Sequence, residues 1–390
     1  MLTFKSFSGI NNVMRPERLG ADALQQATDV DIDVTGQISR RKGYASVSLE
    51  AHRSLFDAGD FLLATVGING DLTAISGETR TTIYPSLGHE RVWYCTLPDG
   101  RIAFSNGLIC GLTDGTIYTG WGVPVPAGVG AAMGIPGNLF DGEYRWQITY
   151  VRLADGREGG PAYSEPISIT EGGLFLSGLP VLAGYKINVY LTSHNDVGAY
   201  LAGSTTNAIF SFTGKNDELV QPCRTDFCKP APAGICPTSW RGRALIAEGN
   251  VLYASRPNDW ETFDVRRDYK QFVDPITLVV PVDDGIYVGT EKELSFLAGS
   301  QFDQLVYRLV VNGGTVLGSG VPVPGELVKQ GEGAGQGSAM LCIADGRIIA
   351  GFNGGGITRL TENVYHTAVT EVHAHFRNHN GTPQYIATPQ

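Results

Sequence analysis

Asp99-Gly-Arg-Ile-Ala-Phe-Ser-Asn-Gly107 returns late in the chain as Asp345-Gly-Arg-Ile-Ile-Ala-Gly-Phe-Asn-Gly354 with one residue inserted, and Gly122-Val-Pro-Val-Pro126 returns as Gly320-Val-Pro-Val-Pro324. Each Asp-Gly pair supplies the positive φ that a tight β-turn needs, and apolar residues follow it. The two phrases come in opposite order in their two occurrences, so one tandem duplication did not make them. Blades of a β-propeller repeat a four-stranded meander without a strict sequence period and would leave such traces. Turn chemistry arising twice would leave them too.

Outward from these phrases the texture stays that of short strands. Phe61-Leu-Leu-Ala-Thr-Val66 and Leu72-Thr-Ala-Ile75 flank an Asn69-Gly70 turn, and Arg91-Val-Trp-Tyr-Cys-Thr96, Arg101-Ile-Ala-Phe-Ser105 and Leu112-Thr-Asp-Gly-Thr-Ile-Tyr118 follow. The 51 glycines and 20 prolines punctuate runs rich in Val, Ile, Thr and Tyr, which favours strands over helices. The middle of the chain differs. Tyr144-Arg-Trp-Gln-Ile-Thr-Tyr-Val151, Ile167-Ser-Ile-Thr170, Leu174-Phe-Leu-Ser177 and Tyr185-Lys-Ile-Asn-Val-Tyr-Leu-Thr192 suit a β-sandwich, immunoglobulin- or fibronectin III-like, of about 80 residues against the ~100 usual for such domains. The expected fold is therefore all-β: a β-propeller with an inserted Ig/fibronectin III-like β-sandwich. Residues 1–130 give the N-terminal part of the propeller, 131–215 the inserted sandwich, 216–237 a linker containing Pro and Cys, and 238–390 the C-terminal part. Gly- and Pro-rich joints on either side make the sandwich a separable body.

With 390 residues, 42% hydrophobic and 17% charged, the chain is long enough for a large core. Its net charge of −10 argues against gripping a nucleic-acid backbone, which takes concentrated Lys and Arg. Met1 to Asn12 lacks the apolar core of a signal peptide, and no run reaches the ~18 apolar residues of a spanning helix. Six sparse cysteines, at 95, 110, 223, 228, 236 and 342, do not make a disulfide scaffold, so synthesis in a reducing cytoplasm is expected.

The opening residues Phe7-Ser-Gly-Ile-Asn-Asn12, followed by Ala27-Thr-Asp-Val-Asp-Ile-Asp-Val-Thr-Gly-Gln-Ile-Ser-Arg-Arg-Lys-Gly-Tyr44, resemble the start of the nozzle and tail-hub proteins of short-tailed phages. Tyr144 to Pro166 with Tyr185 to Thr192 resembles the sandwich inserted in that family, and Trp240 to Pro257 with Asp284 to Gly299 resembles its C-terminal blades. The resemblance covers nearly the whole chain in the expected order. It implies a structural virion protein of the tail, not an enzyme, with no cofactor. Six copies would form a ring below the portal-adaptor ring, near tail fibres and other tail proteins, and DNA would pass through its lumen without specific binding. A tail-tip receptor- or glycan-binding module and a propeller hydrolase of host envelope polysaccharide are the alternatives.

Sites that could carry chemistry are few. Cys223, Cys228 and Cys236 have no His among them and lack a fourth ligand for zinc, which leaves them free, paired or metal-bound. Asp29, Asp31 and Asp33 alternate with Val30, Ile32 and Val34. Val34 and Arg40 stand where a calcium loop needs Gly and Glu, so an acidic strand face, exposed and able to line a DNA lumen, is expected. Gly331 to Gly337 is glycine-rich but no Lys-Ser/Thr follows, which reads as a mobile loop. His366, His373, His375 and His379 crowd the C-terminal region, with His373 and His375 on one face of a strand. No nucleophile elbow, His-Glu-x-x-His helix or glycosidase-type Asp-box turn occurs. No catalytic, cofactor-binding or metal-ligating residue is therefore assigned.

Overall fold

A computed structural model describes residues 6–389 except 34, 42, 44, 47, 331, 332 and 380. Strands and turns make up all of it, and the described residues contain short 3-10 turns but no α-helix. Five antiparallel four-stranded sheets follow the chain order as meanders. The first blade runs His52–Asp57, Leu62–Val66, Asp71–Ser76 and Thr79–Tyr84; the second Trp93–Thr96, Ile102–Ser105, Cys110–Thr113 and Tyr118–Gly120. The third runs Ile235–Trp240, Arg243–Glu248, Val251–Ala254 and Tyr269–Gln271; the fourth Ile276–Val282, Gly285–Thr290, Leu294–Ala298 and Val306–Val311; the fifth Val321–Pro324, Ser338–Ala344, Arg347–Gly351 and Ile357–Arg359.

Their second strands explain the packing. Successive residues of a strand point to opposite faces, so a strand that is apolar throughout must be covered on both. Ile102 and Phe104 join a core shared with the first blade, through Leu63 and Leu72, whereas Ala103 joins one shared with the third, through Ala244 and Ile246. Leu245 and Ala247 face the fourth blade, against Ile286 and Val288; Tyr287 turns the other way, against Met340 and Ile349 of the fifth. Each blade is thus the lid of the next, and the first strand of every blade lines one central cavity. That is a β-propeller.

The chain ends build the remaining sector. The hairpin Val372–His379/Thr382–Pro389 packs on the fifth blade through Phe376 and Tyr385 and contributes Ala374 to the cavity wall. Beside it lies the N-terminal hairpin Val30–Ile32/Ile38–Arg40, across a groove lined by Asp31, Arg41, Arg377 and Gln384. No ladder joins the two hairpins among the described residues. The ends are tied elsewhere: Asn12 donates to the His366 carbonyl and accepts from its N–H, both at 2.8 Å. Closure of a propeller by its first and last strands would place Phe4 to Phe7 beside the C-terminal strands; Phe7 instead donates to the Gly36 carbonyl in the turn of the N-terminal hairpin at 2.8 Å, and Phe4 lies outside the described residues. On the other flank Arg91, between the first and second blades, stacks over Trp93 and donates to the Val372 carbonyl at 2.7 Å, with Glu371 at 3.5 Å.

The insertion between the second and third blades forms a sandwich. One sheet pairs Ala162–Tyr163, Trp146–Arg152, Tyr185–Thr192 and Ala199–Thr205 in that order; the other pairs Ala131–Pro136, Gly172–Ser177 and Ile209–Phe212. Tyr144, Ile148, Leu174, Val189 and their neighbours form a core of its own. Within residues 216–237, Cys228–Lys229 pairs with Phe263–Asp264 and Ile235 begins the innermost strand of the third blade, so this stretch is built into the body rather than strung between bodies.

The repeated phrases sit in inequivalent places. Asp99-Gly100 turns from the first to the second strand of its blade, whereas Asp345-Gly346 turns from the second to the third. Gly320 to Pro324 leads into and forms an innermost strand, but Gly122 to Pro126 is irregular. What recurs is turn chemistry: in both, the Arg guanidinium bonds the Asp carboxylate across the turn.

Two outcomes follow from the Arg91 clasp. Replacing Arg91 with Ala should lower unfolding stability by about 2 kcal/mol, the scale of a partly buried charged hydrogen bond, read as a shifted denaturant midpoint at unchanged slope. Burial, with the Arg91 charge second and Glu371 opposing, holds the His373 pKa below its ordinary 6.5. Folded His373 therefore resists a proton that the unfolded chain accepts, and stability falls as pH drops below 6.5. His373→Gln should flatten that part of the stability-pH curve.

Candidate functional site

The central cavity has a volume of about 920 Å³. Its wall carries Phe56, Trp93, Cys95, Cys236 and Thr277, and Arg241 and Asp283 stand at one mouth. Asp283 is fixed there by bonds from Ser338 and Asn353, which hold its carboxyl below the ordinary value, and its carbonyl accepts both Nε and Nη2 of Arg241. Burial pushes the Cys95 and Cys236 thiols up to about 12. Both stay protonated at neutral pH, and a thiol rather than a thiolate is a poor nucleophile.

A second constellation lies where the sandwich meets the propeller. Glu261, on the excursion between the third and fourth strands of the third blade, has a side chain only 1% exposed. Arg101 of the second blade places Nη1 2.7 Å from its Oε1; Arg152 of the sandwich bonds Oε2, and Arg157 approaches to 3.6 Å. Asp99 pairs with Arg101, Asp155 with Arg152, and Asp259 with Arg157, so three carboxylates balance the cations around a fourth. Burial disfavours the Arg152 guanidinium, and the bond and charge of Glu261 outweigh it, leaving its pKa above the usual arginine value. The cluster joins three segments that lie far apart in the sequence, at 99–101, 152–157 and 259–261. The separation of sandwich and propeller expected from the flanking glycines and prolines is therefore bridged by buried charge, with Trp121 Nε1 donating to the Trp260 carbonyl beside it.

The residues singled out in the sequence do not converge. Cys223, Cys228 and Cys236 are free thiols on three segments; Cys223 approaches Thr225, Cys228 the Asp226 carbonyl and Cys236 the Thr277 carbonyl. The described residues contain no group of three His, Cys, Asp or Glu placed to hold a metal. His373 and His375 share the C-terminal hairpin, His366 is bound through its backbone, and nothing is described of the His379 side chain. The expected acidic row is exposed, with Arg40 3.9 Å from Asp29 and Arg41 3.5 Å from Asp31, while Asp33 closes a turn on Thr35 and Gln37. None of the three lines the central cavity. Gly331 and Glu332 lie outside the described residues, and Gly333–Ala334 pairs with Lys329–Gln330 as a hairpin. The Glu261 cluster escaped the sequence reading because its members are separated by up to 162 positions; only the Asp-Gly-Arg turns at Asp99 and Asp155 are local parts of it.

No protein-family model matches the chain, nor does any curated protein sequence. Among solved structures, the extracellular domain of BT4673 from B. thetaiotaomicron aligns with 89% of this chain at 10% identity and a TM-score of 0.33, and the chain spans 38% of that protein. BBS1N in its complex with ARL6DN gives 13% identity, TM-score 0.33 and 87% and 88% coverage of the two chains. Streptogramin B lyase gives 8%, 0.32 and coverage of 86% and 93%. The fold rests on the order of the sheets and their shared cores, not on these likenesses.

Glu261→Ala leaves three guanidinium groups around an empty buried position, and losing one member of a buried ionic cluster costs roughly 3–5 kcal/mol. Its denaturation midpoint should fall accordingly, and trypsin should cut at Arg152 or Arg157 under conditions where the parent chain resists. An unchanged midpoint would remove the cluster from the account of the joint.

Proposed function

We propose that the chain is a structural component of a phage tail, six copies forming a nozzle ring below the portal-adaptor through which DNA leaves the particle. The observation that carries this reading is where the resembling N-terminal phrase sits. Asn11 caps the turn at Val13 and Met14, and Asn12 locks onto His366 across the sequence, so the phrase closes the body rather than decorating it. Closure removes sheet edges and makes a stiff shell, which a conduit needs. The clasp at Arg91 and the joint at Glu261 add to that stiffness.

The net charge of −10 fits a surface past which DNA slides. With arginines beside Asp29 and Asp31, that repulsion belongs to the acidic balance as a whole and not to one row. In this reading the protein is not an enzyme, and it ends in the virion tail after synthesis in the host cytoplasm.

Native mass spectrometry of the purified protein, alone and with the portal-adaptor ring, tests it. The expected species is six chains, and duplex DNA should not be retarded even at low salt, where backbone binding is strongest. A trimer or monomer that adheres to host cells would contradict the nozzle.

A further inference from the structure

The outer face of the four-stranded sandwich sheet carries a row of polar side chains, which residues 221–229 partly cover. Glu158 Oε1 accepts from Thr149, from Asn188 at 3.0 Å and from the Tyr190 hydroxyl at 2.7 Å, and Asn188 accepts from Ser204 at 2.6 Å. Gln147 stands at the end of the row, opposite Tyr163 on one side and Tyr190 on the other. It is only 7% exposed, and its carboxamide, which bonds no other described side chain or backbone group, keeps what solvent contact it has through the groove.

Gln147 lines two adjoining cavities, of about 300 Å³ and 170 Å³, which share Val197, Ala199 and Asp226 as well. Facing it are two aromatic rings, Tyr163 and Phe227, with centroids 6.0 Å apart. Phe227 sits at φ 61°, a left-handed conformation unusual for an aromatic residue. Three contacts hold it there: its N–H donates to the Tyr163 hydroxyl at 3.1 Å, that hydroxyl donates to Asp226 Oδ1 at 2.8 Å, and the Arg266 guanidinium covers one face of the ring at 3.8 Å. Asp226 Oδ2 has no partner among the described residues, nor does the Arg145 guanidinium at the rim.

We propose that this groove is a binding site for a neutral saccharide residue. Gln147 supplies a donor and an acceptor, Asp226 an acceptor and Arg145 a donor, a set matched by hydroxyl groups, each of which both donates and accepts. The rings of Tyr163 and Phe227 offer apolar surface to the C–H face of a sugar. Asp226 disfavours an anion and Arg145 and Arg266 disfavour a cation, so the ligand is uncharged. The volume stands at the small end for ligand pockets, which run from about 300 to 1,000 Å³. This inference is independent of the nozzle reading.

Occupancy of the groove is read by isothermal titration calorimetry. The whole protein is titrated with methyl glycosides of glucose, galactose, mannose and N-acetylglucosamine, and with inorganic phosphate and sialic acid as charged comparisons. Saturating binding of at least one neutral glycoside is expected, weakened about tenfold by Gln147→Met and again by Asp226→Ala, as the loss of one hydrogen bond predicts. Unchanged unfolding midpoints establish that these variants remain folded; should one fail to fold, Arg145→Ala at the exposed rim takes its place. No response to any neutral glycoside, binding indifferent to the substitutions, or a preference for phosphate or sialic acid would overturn the proposal.

Discussion

A four-stranded antiparallel sheet with apolar residues on both faces cannot stand alone in water, and this constraint organises the molecule. Ile102 and Phe104 need a neighbour on one side, and Ala103 needs one on the other. The same demand recurs at Leu245 and Ile246, at Tyr287 and Val288, and at Met340 and Leu341. Each sheet passes its uncovered face to the next, from the first blade to the fifth. The C-terminal hairpin covers the fifth blade, and Arg91 joins it to the second.

An insertion in such a ring has to enter and leave on one side without prising blades apart. Here the sandwich brings its own core, and Arg152 and Arg157 hold it on the buried Glu261. Charge at a joint is directional. A greasy contact would tolerate sliding, whereas three guanidinium groups around one carboxylate fix an orientation. The same segment that covers the outer face of the sandwich sheet, residues 221–229, returns the chain to the third blade and leaves Gln147 facing a groove.

Much of the fold was legible in the sequence because the strand signals are local. Asn69-Gly70 and Asp99-Gly100 mark turns where the structure has them, and the alternating run Tyr144 to Val151 holds the central strand Trp146–Arg152 of its sheet. Long-range features were not legible. The phrase repeats suggested equivalent blade positions, but a turn chemistry that suits any hairpin cannot say which hairpin it is in. The acidic alternation from Asp29 to Asp33 gave no sign of Arg40 and Arg41 folding back on it. Gln147 looked like any polar residue of a strand, and only the satisfied state of Thr149, Asn188 and Tyr190 beside it sets it apart.

The functional account stands or falls on where the protein resides. Gold-labelling an affinity tag inserted at the exposed Thr206-Asn207-Ala208 turn of the sandwich and imaging whole virions by electron cryomicroscopy decides it most directly. The account predicts six labels around the tail axis, immediately below the portal. Labels confined to the distal tip, or virions carrying none, would contradict it.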